Sequence, residues 1–146
     1  MTQIDFHILE DATPQACLHY VCRLTEKAYT QGCQIHIHTA DENMTEQLDE
    51  LLWTFRERSF IPHQANCAEH ELCAVTLNHA ELPEKREVLI NLSAQVPSSY
   101  AQFDRIIEVI ANDETLKQQG RARFRYYTER GEAPTHQQLK TDRTTN

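Results

Sequence analysis

The chain has 146 residues, of which 40% are hydrophobic and 25% are charged, a balance typical of a folded globular protein that excludes extensive disorder. Its formal net charge of −8 predicts a surface that repels nucleic-acid phosphates, so an acidic partner needs a local basic patch. The sequence shows neither a secretory signal nor an apolar run of the roughly 20 residues that cross a bilayer. We therefore expect a cytoplasmic protein that does not bind membranes.

The N-terminal part of the chain predicts two strand–helix units in succession. Residues Gln3–Leu9 alternate, with Ile4, Phe6 and Ile8 on one side, as expected of a strand. Thr13 and Pro14 form a typical N-cap and first turn, and apolar residues follow at helical spacing up to the first glycine of the chain. The same signals predict a strand over residues 33–39 and a helix over residues 44–55.

The second part of the chain predicts two more strands and two more helices. Short apolar stretches over residues 72–77 and 88–92 predict strands, and the second has the continuous apolar pattern of a strand buried on both faces. The spacing of apolar residues then predicts helices over about residues 99–110 and 114–130. Residues 133–146 are polar without a period, so we expect a mobile tail there.

Strand and helix alternate along the chain, which predicts an α/β fold in three layers with a mainly parallel sheet. Parallel neighbours need crossover connections, and helices usually supply them. We assign residues 1–132 to one such domain. The chain has only three glycines, and they form neither G-x-G-x-x-G nor a P-loop motif. We therefore expect no nucleotide-binding loop and no cofactor.

The last predicted helix carries a basic stripe that reverses the overall charge. Lys117, Arg121 and Arg125 recur every four residues and so share one helical face. Phe124 places an aromatic ring beside Arg121, and Gly120 leaves open space where a side chain would stand. A groove of this kind suits an acidic peptide that ends in a hydrophobic residue with a free carboxylate.

The residues alone leave structural explanations of this stripe open. Arg123 and Arg130 add to the positive charge of the segment, which would also suit a solvated helix face or a complement to the helix dipole. Phe124 could equally be a core residue that packs with Leu116 and Tyr127.

Three of the eight histidines suggest a metal site as an alternative. His36 and His38 project from one face of the second predicted strand, and we place His7 on the neighbouring strand. A small metal-dependent enzyme using these side chains is therefore the alternative function. The alternation with Ile35 and Ile37 favours a structural role for the pair instead, and no nucleophile motif is present. We expect neither a catalytic residue nor a metal.

The segment LLWTFRERSFIPHQ, residues 51–64, is the second unusual feature. Trp53 lies beside the apolar face of its predicted helix. Phe60 and Ile61 directly precede Pro62, which favours an extended loop. Aromatic residues in such a loop are either buried lids or anchors for a partner protein, and the residues alone leave both open.

Four stretches give the sequence a resemblance to a known family. They are I-D-F-H-I-L in the first strand, L-D-E-L-L-W followed by S-F-I-P-H, then E-V-L-I-N-L-S, and L-K-Q-Q-G-R-A-R-F-R-Y-Y in the last helix. In order and spacing, as far as about Gly131, they resemble the chi subunit family of bacterial DNA polymerase III. The S-F-[IV]-P-H element after a Leu-Trp helix is the most distinctive part.

The resemblance implies a Rossmann-like α/β/α fold without nucleotide binding or catalysis. Members of this family form a heterodimer with the psi subunit, which attaches them to the clamp loader. They also bind the acidic C-terminal tail of single-stranded DNA-binding protein. The resemblance thus implies a non-catalytic accessory subunit of the DNA polymerase III holoenzyme that links these partners during DNA replication. Given the acidic surface, we expect no strong direct binding to nucleic acid.

The resemblance also implies roles for two groups of residues. The tail-binding pocket would contain Ile110, Lys117, Arg121, Phe124 and Arg125. The surface for psi, and for competing helicase-like partners, would contain Trp53, Phe60 and Ile61. Phe124 stands where the family commonly has tyrosine, which removes a hydroxyl, and Arg125 stands where lysine is common, which keeps the charge with a different geometry.

Overall fold

The computed structural model describes residues 2–11, 13–54, 63–65, 75–79, 87–97 and 100–139. Within these ranges the helices are α1 Pro14–Thr30, α2 Glu42–Thr54 and α3 Glu114–Glu129, with one 3₁₀ turn at Tyr100–Gln102. The strands are β1 Gln3–Leu9, β2 Ile35–His38, β3 His63–Ala65, β4 Val75–Asn78, β5 Val88–Asn91, β6 Arg105–Ile110 and β7 Thr135–Leu139.

The strands form a single sheet in the order β3-β4-β2-β5-β6-β1-β7. Every pair of neighbouring strands within the described ranges runs parallel. Helices α1 and α2 pack on one face of the sheet and α3 packs on the other. The predicted three-layer α/β/α fold with a parallel sheet is therefore confirmed.

The start and end of α1 follow local sequence rules. The side-chain oxygen of Thr13 accepts a hydrogen bond from the backbone N–H of Ala16 at 3.2 Å, and Pro14 occupies the first turn. The helix ends at Thr30, and Gly32 follows with a φ of 85°, a left-handed conformation that glycine adopts without steric cost. The predicted signals at both ends are confirmed.

Two apolar clusters hold the layers together, one on each face of the sheet. The larger cluster lies between the sheet and α1 and α2, and the smaller one joins the sheet to α3 and the 3₁₀ turn. Cys22 is fully buried in the larger cluster, and burial raises the pKa of its thiol to about 12, so it packs as a small apolar side chain. None of the described helices is long and apolar enough to cross a membrane.

The helix predicted over residues 99–110 is wrong. Residues 105–110 form β6, a strand that lies between β5 and β1, and only the short 3₁₀ turn precedes it. The four apolar side chains of R-I-I-E-V-I suit one helical face as well as a strand that is buried on both faces. The β-branched isoleucines and valine pack well on a pleated surface. Pairing with β5 and β1 therefore favours a strand over a helix at these residues.

The segment that we expected to be a mobile tail from residue 133 contains an ordered strand. Residues 135–139 form β7, which pairs with β1 in parallel and forms the edge of the sheet, with Phe6 opposite His136 and Leu9 opposite Leu139. The strand escapes a search for alternating apolar residues because its first four side chains are polar and exposed. The part of the expected tail beyond Leu139 lies outside the described residues.

Candidate functional site

A groove of about 460 Å³ lies between α3 and the edge strand β7. We call it the α3–β7 groove. One wall is formed by α3, and the floor and the opposite wall are formed by β1, β7 and the end of β6. Its lining consists of Phe6, Ile8, Ile110, Lys117, Gly120, Arg121, Phe124, His136 and Gln138. Four of the five residues predicted for a tail-binding pocket are therefore together in this groove.

The positive charge of the groove comes from Lys117 and Arg121, which lie one helical turn apart. Arg121 forms an ion pair with Glu114, with 3.7 Å between Nη1 of the arginine and Oε2 of the glutamate. Their side chains are 63% and 71% exposed, so the ion pair contributes little and is screened by salt. The guanidinium therefore remains available to an anionic ligand.

The apolar part of the groove is an aromatic surface around Phe124. This half-buried ring lies 5.3 Å from Phe6 and 6.0 Å from the imidazole of His136, measured between ring centroids. One side of Phe124 packs on the smaller core cluster, and the ring also lines the groove. The ring is thus shared by the core and the groove, whereas Leu116, which the core explanation placed beside it, is exposed.

Gly120 acts differently from our expectation, because the space beside it is occupied. A Cβ atom on Gly120 would collide with Cδ1 of Ile110, the last residue of β6. The missing side chain lets α3 approach the sheet closely and lets Ile110 fill the gap. The prediction of open space at this position is wrong. The glycine sets the depth of the groove by close packing.

Arg123 was expected to add charge to the basic stripe, and this expectation is wrong. Its side chain is only 8% exposed, and its Nε donates to Oε1 of the fully buried Glu108 at 2.8 Å. Nη1 of Arg123 also donates to the backbone oxygen of Ala94 at 3.1 Å. The arginine therefore joins α3 to β6 and to the loop after β5.

Glu108 accepts two further hydrogen bonds, so both oxygens of this buried carboxylate have partners. Tyr127 and Asn91 donate to its Oε2 at 2.8 and 2.9 Å. Burial raises the pKa of Glu108, whereas the charge of Arg123 and the hydrogen bonds to the carboxylate oppose this shift. The buried residues of α3, namely Gly120, Arg123 and Tyr127, form an inward stripe that fixes the helix on the sheet and contributes nothing to the surface charge.

Comparison with known proteins gives the same identification as the sequence motifs. The family described as "DNA polymerase III chi subunit, HolC" matches residues 1–135. The chain belongs to the DNA polymerase III chi subunit family. It is therefore an accessory subunit of a DNA polymerase that works in DNA replication.

Three curated relatives of the chi family carry the name "DNA polymerase III subunit chi". The protein from Pseudomonas aeruginosa is 41% identical over 133 residues, which cover 90% of this chain and 92% of the relative. The proteins from Haemophilus influenzae and Escherichia coli are 27% and 26% identical, over 82% and 87% of this chain and 85% and 91% of their own lengths.

The remaining cations of the last helix do not line the groove of this chi-family chain. Among the described residues, the lining includes Lys117 and Arg121 but not Arg125, which is exposed on α3. Arg130 stacks on the ring of Tyr126, with 4.5 Å between its Cζ and the ring centroid. The five cations of the segment therefore have four different environments. Lys117 and Arg121 line the groove, and Arg123 is buried. Arg125 is exposed, and Arg130 stacks on Tyr126.

Sequence reasoning missed the groove residues that come from strands. Phe6 and Ile8 were predicted to face one side of β1, but nothing in the sequence says which helix covers that side. His136 and Gln138 belong to β7, for which no strand was predicted. The resemblance itself weakens after Gly131, so it gave no signal there either.

The second predicted surface of the chi-family chain is only partly described. Trp53 lies near the end of α2 and is 49% exposed, the largest exposed fraction among the big apolar side chains of the described residues. Phe60 and Ile61 lie outside the described residues. An exposed tryptophan on a helix is a typical anchor for a partner protein.

The three histidines of the alternative metal site do not converge. Two strands, β5 and β6, separate β1 from β2, so His7 is not on the strand next to His36 and His38 as we expected. His7 also faces α1, where its Nδ1 lies 2.6 Å from the hydroxyl of Tyr20, whereas the other two project from the opposite face. No three potential metal ligands come together in the described ranges.

Proposed function

We propose that this chi-family chain is an adaptor that binds the acidic C-terminal tail of single-stranded DNA-binding protein in the α3–β7 groove. The psi subunit would attach it to the clamp loader from a second surface. The observation that supports the first part is a cationic groove with an aromatic lining in a chain whose net charge is −8. A cleft lined by cations raises the local concentration of anionic ligands, and acidic peptide motifs are typically recognised by clustered cations.

Each groove residue has a distinct role in the proposed complex. Arg121 pairs with the terminal carboxylate of the tail, because its planar fork matches two carboxylate oxygens and its only described ion pair is weak. Phe124 and Ile110 contact the last apolar side chain of the tail. Lys117, on the groove wall, and Arg125, beyond it, attract the acidic residues that precede that side chain.

The energetics favour weak, selective and salt-sensitive binding. A charge-assisted hydrogen bond is worth about 1.5 to 3 kcal/mol, so the contact with Arg121 supplies most of the selectivity for a free C-terminus. Lys117 and Arg125 mainly raise the association rate, and salt screens their charges over about 8 to 10 Å. The protein takes no part in catalysis and has no strong affinity of its own for nucleic acid.

The psi subunit occupies, in this proposal, the surface around Trp53, together with Phe60 and Ile61. The exposed indole of Trp53 lies on α2, which packs on the sheet face opposite α3. Psi and the tail peptide would therefore bind at the same time without overlap. Such an arrangement suits an adaptor that joins two partners.

The tail assignment is tested by calorimetry at low salt with a peptide that ends in Asp-Asp-Phe. Arg121→Ala should weaken binding about 10- to 100-fold, and amidation of the peptide should weaken binding to the parent protein similarly. Arg130→Ala is the matched control, because it removes the same charge from the C-cap of the same helix, outside the groove. Equal affinities of the Arg121→Ala variant and the parent would refute the assignment.

The psi surface is tested by copurification with the psi subunit. Trp53→Ala should leave a folded monomer that no longer retains psi, and Phe60→Ala should behave in the same way. Leu116→Ala is the control, since Leu116 is the other large apolar residue that is exposed in the described part of the chain. Retention of psi by both the Trp53 and the Phe60 variants would contradict this surface.

A further inference from the structure

A second groove, of about 830 Å³, lies on the opposite face of the sheet from the α3–β7 groove. We call it the α1–β7 groove. The C-terminal half of α1 forms one wall, and Ile107 and Val88 lie on the sheet beneath it. Three cations line it, namely Arg23 and Lys27 from α1 and Arg105 from the start of β6.

The two grooves lie on either side of the edge strand β7. His136 and Gln138 line the α3–β7 groove, whereas Gln137 and Leu139 line the α1–β7 groove. This division follows from the alternation of side chains along a strand. A ligand that leaves one groove and passes around the edge of the sheet therefore enters the other.

The α1–β7 groove has an excess of positive charge, even after its acidic neighbours are counted. Arg105 is paired with Asp5, at 2.9 Å between Nη2 and Oδ2, and Glu26 also lines the groove. Neither Arg23 nor Lys27 has an ion-pair partner among the residues that the structure describes. These two cations, which belong to α1, are thus available to an acidic ligand.

The fields of the three cations converge on a hydrogen-bonded pair at the floor of the groove. Burial lowers the pKa of His7, and the charges of Arg105 and Lys27 lower it further against the opposing effect of Asp5. Burial raises the pKa of Tyr20 to about 12, although nearby arginine charges oppose this shift. His7 and Tyr20 therefore remain uncharged at neutral pH and leave the positive charge of the groove intact.

The exposed edge of β7 offers polar groups along the path between the grooves. The backbone oxygen of Leu139 accepts from Glu10 at 2.9 Å, so the main chain of Leu139 faces β1. The main-chain groups of Gln138 and His136 face the other way, because they alternate with it along the strand. No strand pairs with this edge within the described ranges.

We propose that the α1–β7 groove binds the acidic stretch that lies upstream in the same peptide whose C-terminal end occupies the α3–β7 groove. This proposal rests on the proposed function and extends its site around the edge of the sheet. The last residues of the peptide lie against Phe124 and Arg121. The preceding residues cross the edge of β7, and the acidic side chains before them meet Arg23 and Lys27.

The length of peptide that this path requires follows from the sheet geometry. A path around the edge strand, from a groove on one face to a groove on the other, covers roughly 15 Å, which is about five extended residues. With a few residues in each groove, a peptide of about twelve residues spans the whole path, whereas one of about four reaches only the α3–β7 groove. Peptide length therefore separates the two sites experimentally.

The test compares short and long peptides in calorimetry at low salt. The short peptide is Asp-Asp-Asp-Phe with a free carboxylate, and the long one has about fourteen residues, the same end and four further aspartates upstream. In Arg23→Gln combined with Lys27→Gln, affinity for the long peptide should fall about fivefold, whereas affinity for the short one should not change. Lys27 is exposed and Arg23 is partly exposed, and a thermal melt checks that the variant is folded.

Two controls isolate the upstream contact. Arg130→Gln removes a charge away from both grooves and should change the affinities for the two peptides equally and only slightly. A long peptide with asparagine in place of the upstream aspartates should bind parent and double variant with equal affinity. A lower affinity of the double variant for this asparagine-containing peptide would overturn the charge argument.

The remaining outcomes separate this inference from the proposed function. If the short peptide binds the parent and the double variant binds the long peptide as the parent does, the α1–β7 groove is not part of the site, and the proposed function stands. If neither peptide binds the parent, both proposals fail. If oligothymidylate binds the parent and is lost in the double variant while the long peptide is unaffected, the groove belongs to nucleic acid and the inference is overturned.

Discussion

Two arginines on α3, separated by one residue, have opposite roles in this protein. The side chain of Arg121 is 63% exposed at the α3–β7 groove, and that of Arg123 is 8% exposed in an ion pair with Glu108. Residue type and local sequence are nearly the same. The difference shows that the number of charges on a helix does not give the charge of its surface, because the helix rotation relative to the sheet decides which charges reach solvent.

The two arginines belong to two stripes of α3 with different roles. The inward stripe contains Arg123 and packs on the sheet, and the outward stripe contains Arg121 and faces solvent. The inward stripe, with Gly120 and Tyr127 beside Arg123, joins α3 to β6 through close packing and buried hydrogen bonds. The outward stripe presents Lys117 and Arg121 to the groove. Changes to the inward stripe should therefore alter stability first, and changes to the outward stripe should alter only binding.

The largest expected effect comes from exchanging the two arginines for glutamine in turn. Arg123→Gln leaves the carboxylate of Glu108 buried without its cation, which typically costs about 3 to 5 kcal/mol of unfolding free energy. Arg121→Gln should keep the unfolding free energy within about 0.5 kcal/mol and lose peptide affinity instead. Urea unfolding and calorimetry on both variants measure the two effects, and equal stabilities of the two variants would refute the division of the helix.

Replacement of Gly120 by alanine should affect both stripes to an intermediate degree. The new methyl group collides with Ile110, and overpacking of a core costs about 1 to 3 kcal/mol, of which the better helix propensity of alanine returns about 1. Because Ile110 also lines the groove, peptide affinity should fall as well. Urea unfolding and peptide titration check this, with Ala122→Gly on the exposed side of α3 as the control for propensity alone. A more stable variant with unchanged affinity would contradict the close packing.

The start of α3 offers a smaller effect on stability. The side chain of Asp113 accepts from the backbone N–H of Leu116 at 3.0 Å, and loss of such an N-cap costs about 1 kcal/mol. Asp113→Ala should therefore lower the unfolding free energy by that amount, and Thr13→Ala at the N-cap of α1 should do the same. Peptide affinity should change by less than about twofold in both variants, since neither cap lines the groove. A loss of affinity confined to Asp113→Ala would show that the outward stripe depends on this end of the helix.

The smallest expected effect concerns Glu114, the exposed partner of Arg121. Glu114→Gln should leave the unfolding free energy unchanged within about 0.5 kcal/mol, because exposed ion pairs contribute little. The same change frees Arg121 and removes a negative charge near the groove, so affinity for an acidic peptide should rise about twofold at low salt. The gain should vanish at high salt, and calorimetry at two salt concentrations measures it. A loss of affinity would mean that Glu114 holds Arg121 in its binding conformation.

The sequence by itself determined the features that depend on neighbouring residues in the chain. The N-cap Thr13 and the glycine after α1 mark the ends of that helix, and the alternation in β1 gives both the strand and its two faces. The same holds for the basic stripe, since Lys117 and Arg121 share a helical face wherever the helix lies. The chi-family motifs are likewise local, and the family match confirms them.

Only the tertiary structure decided the features that depend on residues far apart in the chain. Residues 105–110 become a strand because β5 and β1 lie on either side, and β7 pairs with β1 without an apolar pattern of its own. Arg123 is removed from the surface because Glu108 faces it, and Gly120 is tightly packed because Ile110 fills its place. The physical reason is that burial, pairing and close approach belong to two segments at once, whereas a sequence pattern describes one.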